Sequence, residues 1–114
     1  TSVKWSPQGT HLAVGKTEGD VLVYDVSFQN VTWSVRPDNL RVGTLAWNAI
    51  QQSLSLGTRR GAIQTFDMRT REMVQEYKGH RHEVCGLCWS NDGTQLASGG
   101  NDNQVFVWDV RSSK

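Results

Sequence analysis

Trp5, Trp47 and Trp89 stand 42 residues apart, and the same offset superimposes Asp25, Asp67 and Asp109 without a gap. Gly15, Gly57 and Gly99 fall into that register, as do Leu12, Leu54 and Leu96 and the aromatic series Tyr24, Phe66 and Trp108. A repeat of this length, closing on an aromatic-Asp pair, is the sequence pattern of a β-propeller blade. Blades bury their faces against neighbours, so function is expected on surfaces shared between blades rather than in one catalytic motif. The expected fold class is therefore all-β: a β-propeller fragment of about two and three-quarter blades, built of antiparallel four-stranded sheets.

The repeats divide the chain into 1–41, 42–83 and 84–114, the last an incomplete blade whose outer strand is missing. The first reads as strands at 3–5, 11–15, 21–26 and 31–36. Its first turn, Ser6-Pro7-Gln8-Gly9, has proline and glycine where turn geometry favours them. The second reads as 42–47, 53–57, 62–68 and 73–78, with the glycine lost from its turn Asn48-Ala49-Ile50-Gln51. The third reads as 84–89, 95–99 and 104–110. In 21–26, Val21, Val23 and Asp25 alternate with Leu22, Tyr24 and Val26, and both sets are largely apolar. That suits a strand covered on both faces. Trp33 lies in the alternating segment Val31-Thr32-Trp33-Ser34-Val35 and is expected to pack.

Closed propellers need roughly 4–8 blades, so a chain of 114 residues with this period is expected to be part of a longer protein. The net charge of +1 singles out neither nucleic acid nor a membrane surface as partner. The sequence contains no apolar run long enough to span a bilayer and no signal-peptide pattern. Two cysteines beside five tryptophans fit a reduced, cytosolic or nuclear setting better than a disulfide scaffold.

Gly79-His80, Leu96-Ala97-Ser98-Gly99, Asp102 and Trp108-Asp109 resemble the WD-repeat pattern. In WD-repeat proteins a His–Ser–Asp–Trp network pins the blade, and His80, Ser98, Asp102 and Trp108 occupy the matching positions. A buried imidazole, hydroxyl, carboxylate and indole N–H are costly singly and satisfied together. The first two repeats lack the set and must rely on packing. A catalytic triad of His80, Ser98 and Asp102 is the competing reading, but the structural role accounts for all three and for Trp108 as well.

His80, His82, Cys85 and Cys88 form a string with zinc-ligand residue types. In a strand, residues three apart point to opposite faces, so Cys85 and Cys88 are expected to diverge and to be buried or half-buried. No metal, no cofactor and no enzymatic activity are expected: there is no phosphate-cradling loop, nucleophile elbow or pair of catalytic carboxylates. Arg59, Arg60, Arg69, Arg71, Lys78 and Arg81 make the second repeat and its exit basic. Either this is a solvated rim, or it receives an acidic peptide through arginine forks. Few aromatics accompany these charges, which disfavours base stacking on RNA or DNA. Asn101 and Asn103 flank Asp102 in a tight turn, and each amide offers both donor and acceptor to a ligand.

Arg41-Val42-Gly43-Thr44-Leu45-Ala46-Trp47-Asn48, Glu83-Val84-Cys85-Gly86-Leu87-Cys88-Trp89 and Leu96-Ala97-Ser98-Gly99-Gly100-Asn101-Asp102-Asn103 sharpen this. Together with Leu12-Ala13-Val14-Gly15 they resemble the Fizzy and Fizzy-related family, WD-repeat activators and substrate adaptors of the anaphase-promoting complex. The resemblance implies the second, third and most of the fourth blade of a seven-bladed ring. It implies a non-catalytic adaptor that binds short degradation motifs of substrate and inhibitor proteins in the nucleus and cytoplasm. It implies attachment to anaphase-promoting complex subunits through regions outside this segment. Asn101 and Asn103 match asparagines that hold a KEN-box peptide on the family's top face. Asp102 would hold the turn that aims them. A further motif with hydrophobic anchors and an acidic end docks near the family's second and third blades, with Arg59 and Arg60 as candidate contacts. The family's destruction-box pocket would lie outside the segment. The alternative is a non-catalytic scaffold in another multiprotein assembly.

Overall fold

The 42-residue register becomes a physical row of side chains across each sheet. The computed structural model describes residues 2–16, 18–27, 30–36, 42–101 and 103–109. The first sheet contains β1 (Ser2–Trp5), β2 (His11–Gly15), β3 (Val21–Asp25) and β4 (Asn30–Val35). The second contains β5 (Val42–Asn48), β6 (Ser53–Thr58), β7 (Ala62–Asp67) and β8 (Glu72–Lys78). The third contains β9 (Val84–Trp89), β10 (Gln95–Gly100) and β11 (Val105–Asp109). All pairings are antiparallel between chain neighbours. Trp5, Trp47 and Trp89 sit opposite Leu12, Leu54 and Leu96. Those leucines sit in turn opposite Tyr24, Phe66 and Trp108.

Ser6, Asn48 and Ser90, spaced 42 residues apart, each close the first hairpin turn of their own sheet. Ser6 and Ser90 accept, on their hydroxyls, the backbone N–H of His11 and Gln95, and their own N–H groups bond back across the turn. Gly9 and Gly93 supply the left-handed backbone, at φ 75° and 73°. The second sheet solves the same problem without glycine. Asn48 Oδ1 accepts from the N–H groups of Ile50 and Gln51 in an Asx-type turn, and Gln52 takes the positive φ one place later.

The core lies at the two junctions between sheets. Ala13, Val21 and Val23 of the first sheet meet Val42, Leu45, Leu54, Leu56 and Phe66 of the second, with Trp33 against Phe66 at 5.3 Å between ring centroids. Ile63 and Tyr77 meet Val84 and Leu96 across the other junction, where Tyr77 lies 5.0 Å from Trp108. Every residue of β6 is buried, because the middle sheet is covered on both faces. The outer faces of the first and third sheets instead carry Val3 and Trp5, and Val105 and Val107, largely exposed.

Two side-chain bonds tie the junctions together. Trp47 Nε1 donates to the Lys4 carbonyl at 3.1 Å, and Asn48 Nδ2 donates to the Gly93 carbonyl at 3.0 Å. Arg71 adds a clamp from the β7–β8 turn, donating from its guanidinium to the Thr32 carbonyl at 2.6 Å. Among the described residues no helix is long and apolar enough to cross a membrane.

Candidate functional site

Antiparallel pairing puts the β6–β7, β8–β9 and β10–β11 connections at one end of the sheets. A concavity of about 350 Å³ opens there, lined by Arg59, Arg81, His82, Glu83 and Asn101. Asn101 is held by its backbone N–H, which donates to the Glu83 carbonyl at 3.0 Å, and by Cys85, whose Sγ donates to Asn101 Oδ1 at 2.9 Å. Glu83 is only 7% exposed, and its carboxylate lies over the backbone at Gly43, where a Cβ would meet Oε2 at 2.8 Å. Asn103 is exposed at φ 62°, with its N–H bonded to the Gly100 carbonyl at 3.2 Å. Asp102, between the two asparagines, lies outside the described residues.

Arg59 and Arg60, adjacent in sequence, part company in space. Arg59 enters the Asn101 concavity, whereas Arg60 lines another hollow with Gln64, Glu76, Lys78 and His80. Arg81, which the sequence marked only as part of a basic run, shares the concavity with Arg59.

Below it, His80 Nε2 lies 2.8 Å from Ser98 Oγ, and Trp108 Nε1 donates to the same oxygen at 2.9 Å. His80 and Ser98 are buried, and the imidazole packs edge-on against Phe106 at 4.6 Å. Burial first, and then the Asp109 charge, push the neighbouring Tyr77 phenol above its ordinary range.

At the opposite end, a groove of about 300 Å³ runs between the first and second sheets. Its apolar wall includes Val23, Trp33, Trp47 and Met68, and Arg69 and Arg71 stand at its side. The Arg69 guanidinium bonds Asp67 and holds its carboxyl below the usual range. The repeat register alone does not mark this groove, because Val23, Trp33, Met68, Arg69 and Arg71 have no counterparts across it at the 42-residue offset. The resemblance points to a motif near these blades, but to Arg59 and Arg60 as its contacts.

The cysteines depart from expectation. Both thiols are exposed rather than buried or half-buried: the register shift between the partners Val84 and Gly86 leaves Cys85 out of the pairing and breaks the alternation of β9, so Val84, Leu87 and Trp89 share the face towards the second sheet and neither cysteine joins them. Cys85 bonds Asn101, while Cys88 Sγ lies 3.6 Å from the Trp89 carbonyl. Among the described residues no group of three or more histidines, cysteines or carboxylates could hold a metal ion.

Residues 1–113 match the family model described as the IFT140 first beta-propeller. The chain is 49% identical over 113 residues to the WD repeat-containing protein slp1 of Schizosaccharomyces pombe, covering 98% of this chain and 23% of that protein. It is 46% identical over 114 residues to Protein FIZZY-RELATED 1 of Arabidopsis thaliana, covering 99% and 24%. Against the APC/C activator protein CDC20 of Saccharomyces cerevisiae the identity is 40% over 114 residues, covering 98% and 18%. The chain thus spans about a quarter or less of the length of these curated relatives.

A chain in the crystal structure of the mitotic checkpoint complex superimposes with a TM-score of 0.90 at 48% identity, over 98% of this chain and 34% of that one. The RRP9 WD40 repeats superimpose at 0.91 with only 20% identity, over 100% and 36%, so backbone shape by itself distinguishes nothing beyond the fold. Identity does the discriminating. The family model reports a β-propeller, and the relatives at 40–49% identity are WD-repeat, Fizzy-related and APC/C activator proteins.

Proposed function

Because the chain matches a β-propeller family model over residues 1–113 and belongs with the Fizzy and Fizzy-related WD-repeat proteins, we propose that the protein containing it is a substrate adaptor and activator of the anaphase-promoting complex. In this reading it binds short degradation motifs of substrate and inhibitor proteins and performs no chemistry itself. It meets the ligase through regions outside this segment and works in the nucleus and cytoplasm. The observation that carries the site is the concavity where Asn101 and Arg59 come together, with Arg81 beside them. An amide and two guanidiniums offer donors to the carboxylate and amide oxygens of a KEN-type peptide.

The test is titration of a KEN-box peptide into the complete protein. Asn101→Ala removes one amide. Asn103→Gly removes the other without forcing a Cβ into the left-handed backbone at φ 62°. Micromolar binding weakened about threefold to a hundredfold by each variant, with melting unchanged, supports the reading. No binding by the folded wild type moves the assignment to a scaffold propeller in another assembly.

The groove between the first and second sheets favours a second peptide site on the same protein. Its tryptophans and Met68 suit hydrophobic anchors, and Arg69 and Arg71 suit an acidic end. Arg59 and Arg60 stand at the opposite end of the sheets from it. Arg69→Glu is expected to weaken an acidic-ended hydrophobic peptide and to leave KEN-peptide binding within about twofold. Equal loss of both would assign the effect to folding.

A further inference from the structure

An asparagine side chain can present a carbonyl or an amino group to a ligand, and the two choices select opposite chemistry. At Asn101 the group beside the amide is the thiol of Cys85. Its Sγ lies 2.9 Å from Oδ1 and 3.6 Å from the Glu83 carbonyl, and the single thiol proton goes to the nearer oxygen. Cys85 is not among the residues lining the concavity, whereas Asn101 is. With Oδ1 engaged on the thiol side, Nδ2 is the amide atom left for the concavity. The backbone N–H of Asn101 is fixed separately on the Glu83 carbonyl, so the turn is anchored and the side-chain torsion is the freedom that remains. A β-bulge between Gly99 and Gly100, opposite Val84 and Gly86, brings Cys85 up to the residue after Gly100.

We propose that Cys85 is a positioning residue that locks the Asn101 amide with Nδ2 facing the concavity, so that Asn101 meets oxygen acceptors of a bound peptide as a donor. Arg59 and Arg81 on the same concavity add only donors, and so select for the same class of ligand group. Glu83 and His82 line the concavity too; the Glu83 carboxylate is mostly buried over Gly43, and the donors facing a ligand include the Asn101 amide and the two arginines. A carboxylate or side-chain carbonyl of the peptide is favoured there. An ammonium or another donor meets repulsion or an unmatched N–H.

The proposal rests on the degron reading for its ligand, and the experiment separates the two. The complete protein and its Asn101→Ala, Cys85→Ser, Cys85→Ala and Cys85→Ala/Asn101→Ala forms are titrated with a KEN-box peptide. In parallel, the side-chain amide resonances of Asn101 are followed in the ligand-free proteins. Cys85→Ser keeps a donor and is expected to bind within about twofold of wild type, while Cys85→Ala weakens binding by about three- to tenfold. In the Asn101→Ala background the cysteine substitution is expected to cost nothing further, because its whole effect passes through that amide. The Asn101 resonances are expected to shift in Cys85→Ala and to return in Cys85→Ser.

An unchanged affinity in Cys85→Ala, or the same penalty with and without Asn101, overturns the positioning role. Absence of binding by the wild type removes the degron reading. The amide resonances then still decide whether Cys85 orients Asn101, and unmoved resonances overturn it.

Discussion

The indole of Trp47, on β5, donates its Nε1–H to the carbonyl of Lys4, on β1, at 3.1 Å. The bond crosses from one sheet to the next, so the most regular residue of the repeat secures a junction as well as filling a core. Replacing Trp47 by Phe keeps a ring and loses the donor. The complete protein is expected to lose about 1 kcal/mol of stability, read as a lowered melting temperature. A larger loss, on the scale of cavity formation, would show that ring volume rather than the hydrogen bond dominates.

At the other junction, one hydroxyl serves two partners. Ser98 Oγ accepts from Trp108 Nε1 and bonds His80 Nε2, all within 2.9 Å. Ser98→Ala leaves both groups in a site where Ser98 is 2% exposed and water has little access. A loss of about 2–4 kcal/mol is expected by thermal or denaturant unfolding, more than Ser→Ala costs where only one bond is made. Asn101-dependent peptide binding should survive at temperatures where the variant remains folded, because Ser98 is not among the residues lining the concavity.

Gly61 has no room for a side chain. Its φ is +96°, and a Cβ would stand 2.3 Å from the His80 carbonyl oxygen. Gly61→Ala is expected to destabilise by about 2–4 kcal/mol. Because the same connection carries Arg59, peptide affinity should also fall in whatever fraction still folds. Wild-type melting in this variant would mean that the connection is free to move away from His80.

The carboxylate of Asp92 is held down to about 2, first by the Ser90 hydroxyl, then by the hydroxyl and N–H of Thr94. Its ordinary value is 3.8, so between these values the unfolded chain binds more protons than the folded one. The stabilisation is therefore present above the ordinary value and lost as pH falls towards about 2. Asp92→Ala is expected to melt below wild type near neutrality, with the difference closing as pH is lowered from about 5 to about 2. A difference independent of pH would assign the effect to the turn backbone and not to the charge.

The rows running from Trp47 through Leu54 to Phe66, and their counterparts in the neighbouring sheets, were legible because antiparallel pairing turns a fixed period into fixed cross-strand partners. Asn48 shows the limit of that reading. Its turn looked like a degenerate repeat, yet the side-chain amide closes it and reaches Gly93 of the next sheet. A bulge at Cys85 breaks the alternation of β9, which is why the exposure of both Cys85 and Cys88 could not be read from strand periodicity. The split between Arg59 and Arg60 is equally hidden from periodicity: successive residues leave a tight connection in different directions, and only the packed loops show which one meets Asn101.

Arg71 combines a benefit and a cost that substitutions can separate. Its guanidinium bonds the Thr32 carbonyl at 2.6 Å across the first junction, while its backbone sits at φ +67°, in the left-handed region that disfavours a Cβ. Arg71→Ala loses the clamp and keeps the strain. Arg71→Gly loses the clamp and relieves the strain, worth about 1 kcal/mol at such a position. The clamp is an exposed hydrogen bond from a charged donor, worth about 1 kcal/mol after solvent competition. The glycine variant is therefore expected to melt close to wild type and the alanine variant about 1 kcal/mol below both. Both variants should weaken an acidic-ended peptide in the groove between the first and second sheets equally, since both remove the same cation from it. If the two melt alike, the positive φ is carried without strain; if only alanine weakens the peptide, the groove depends on backbone shape and not on the Arg71 charge.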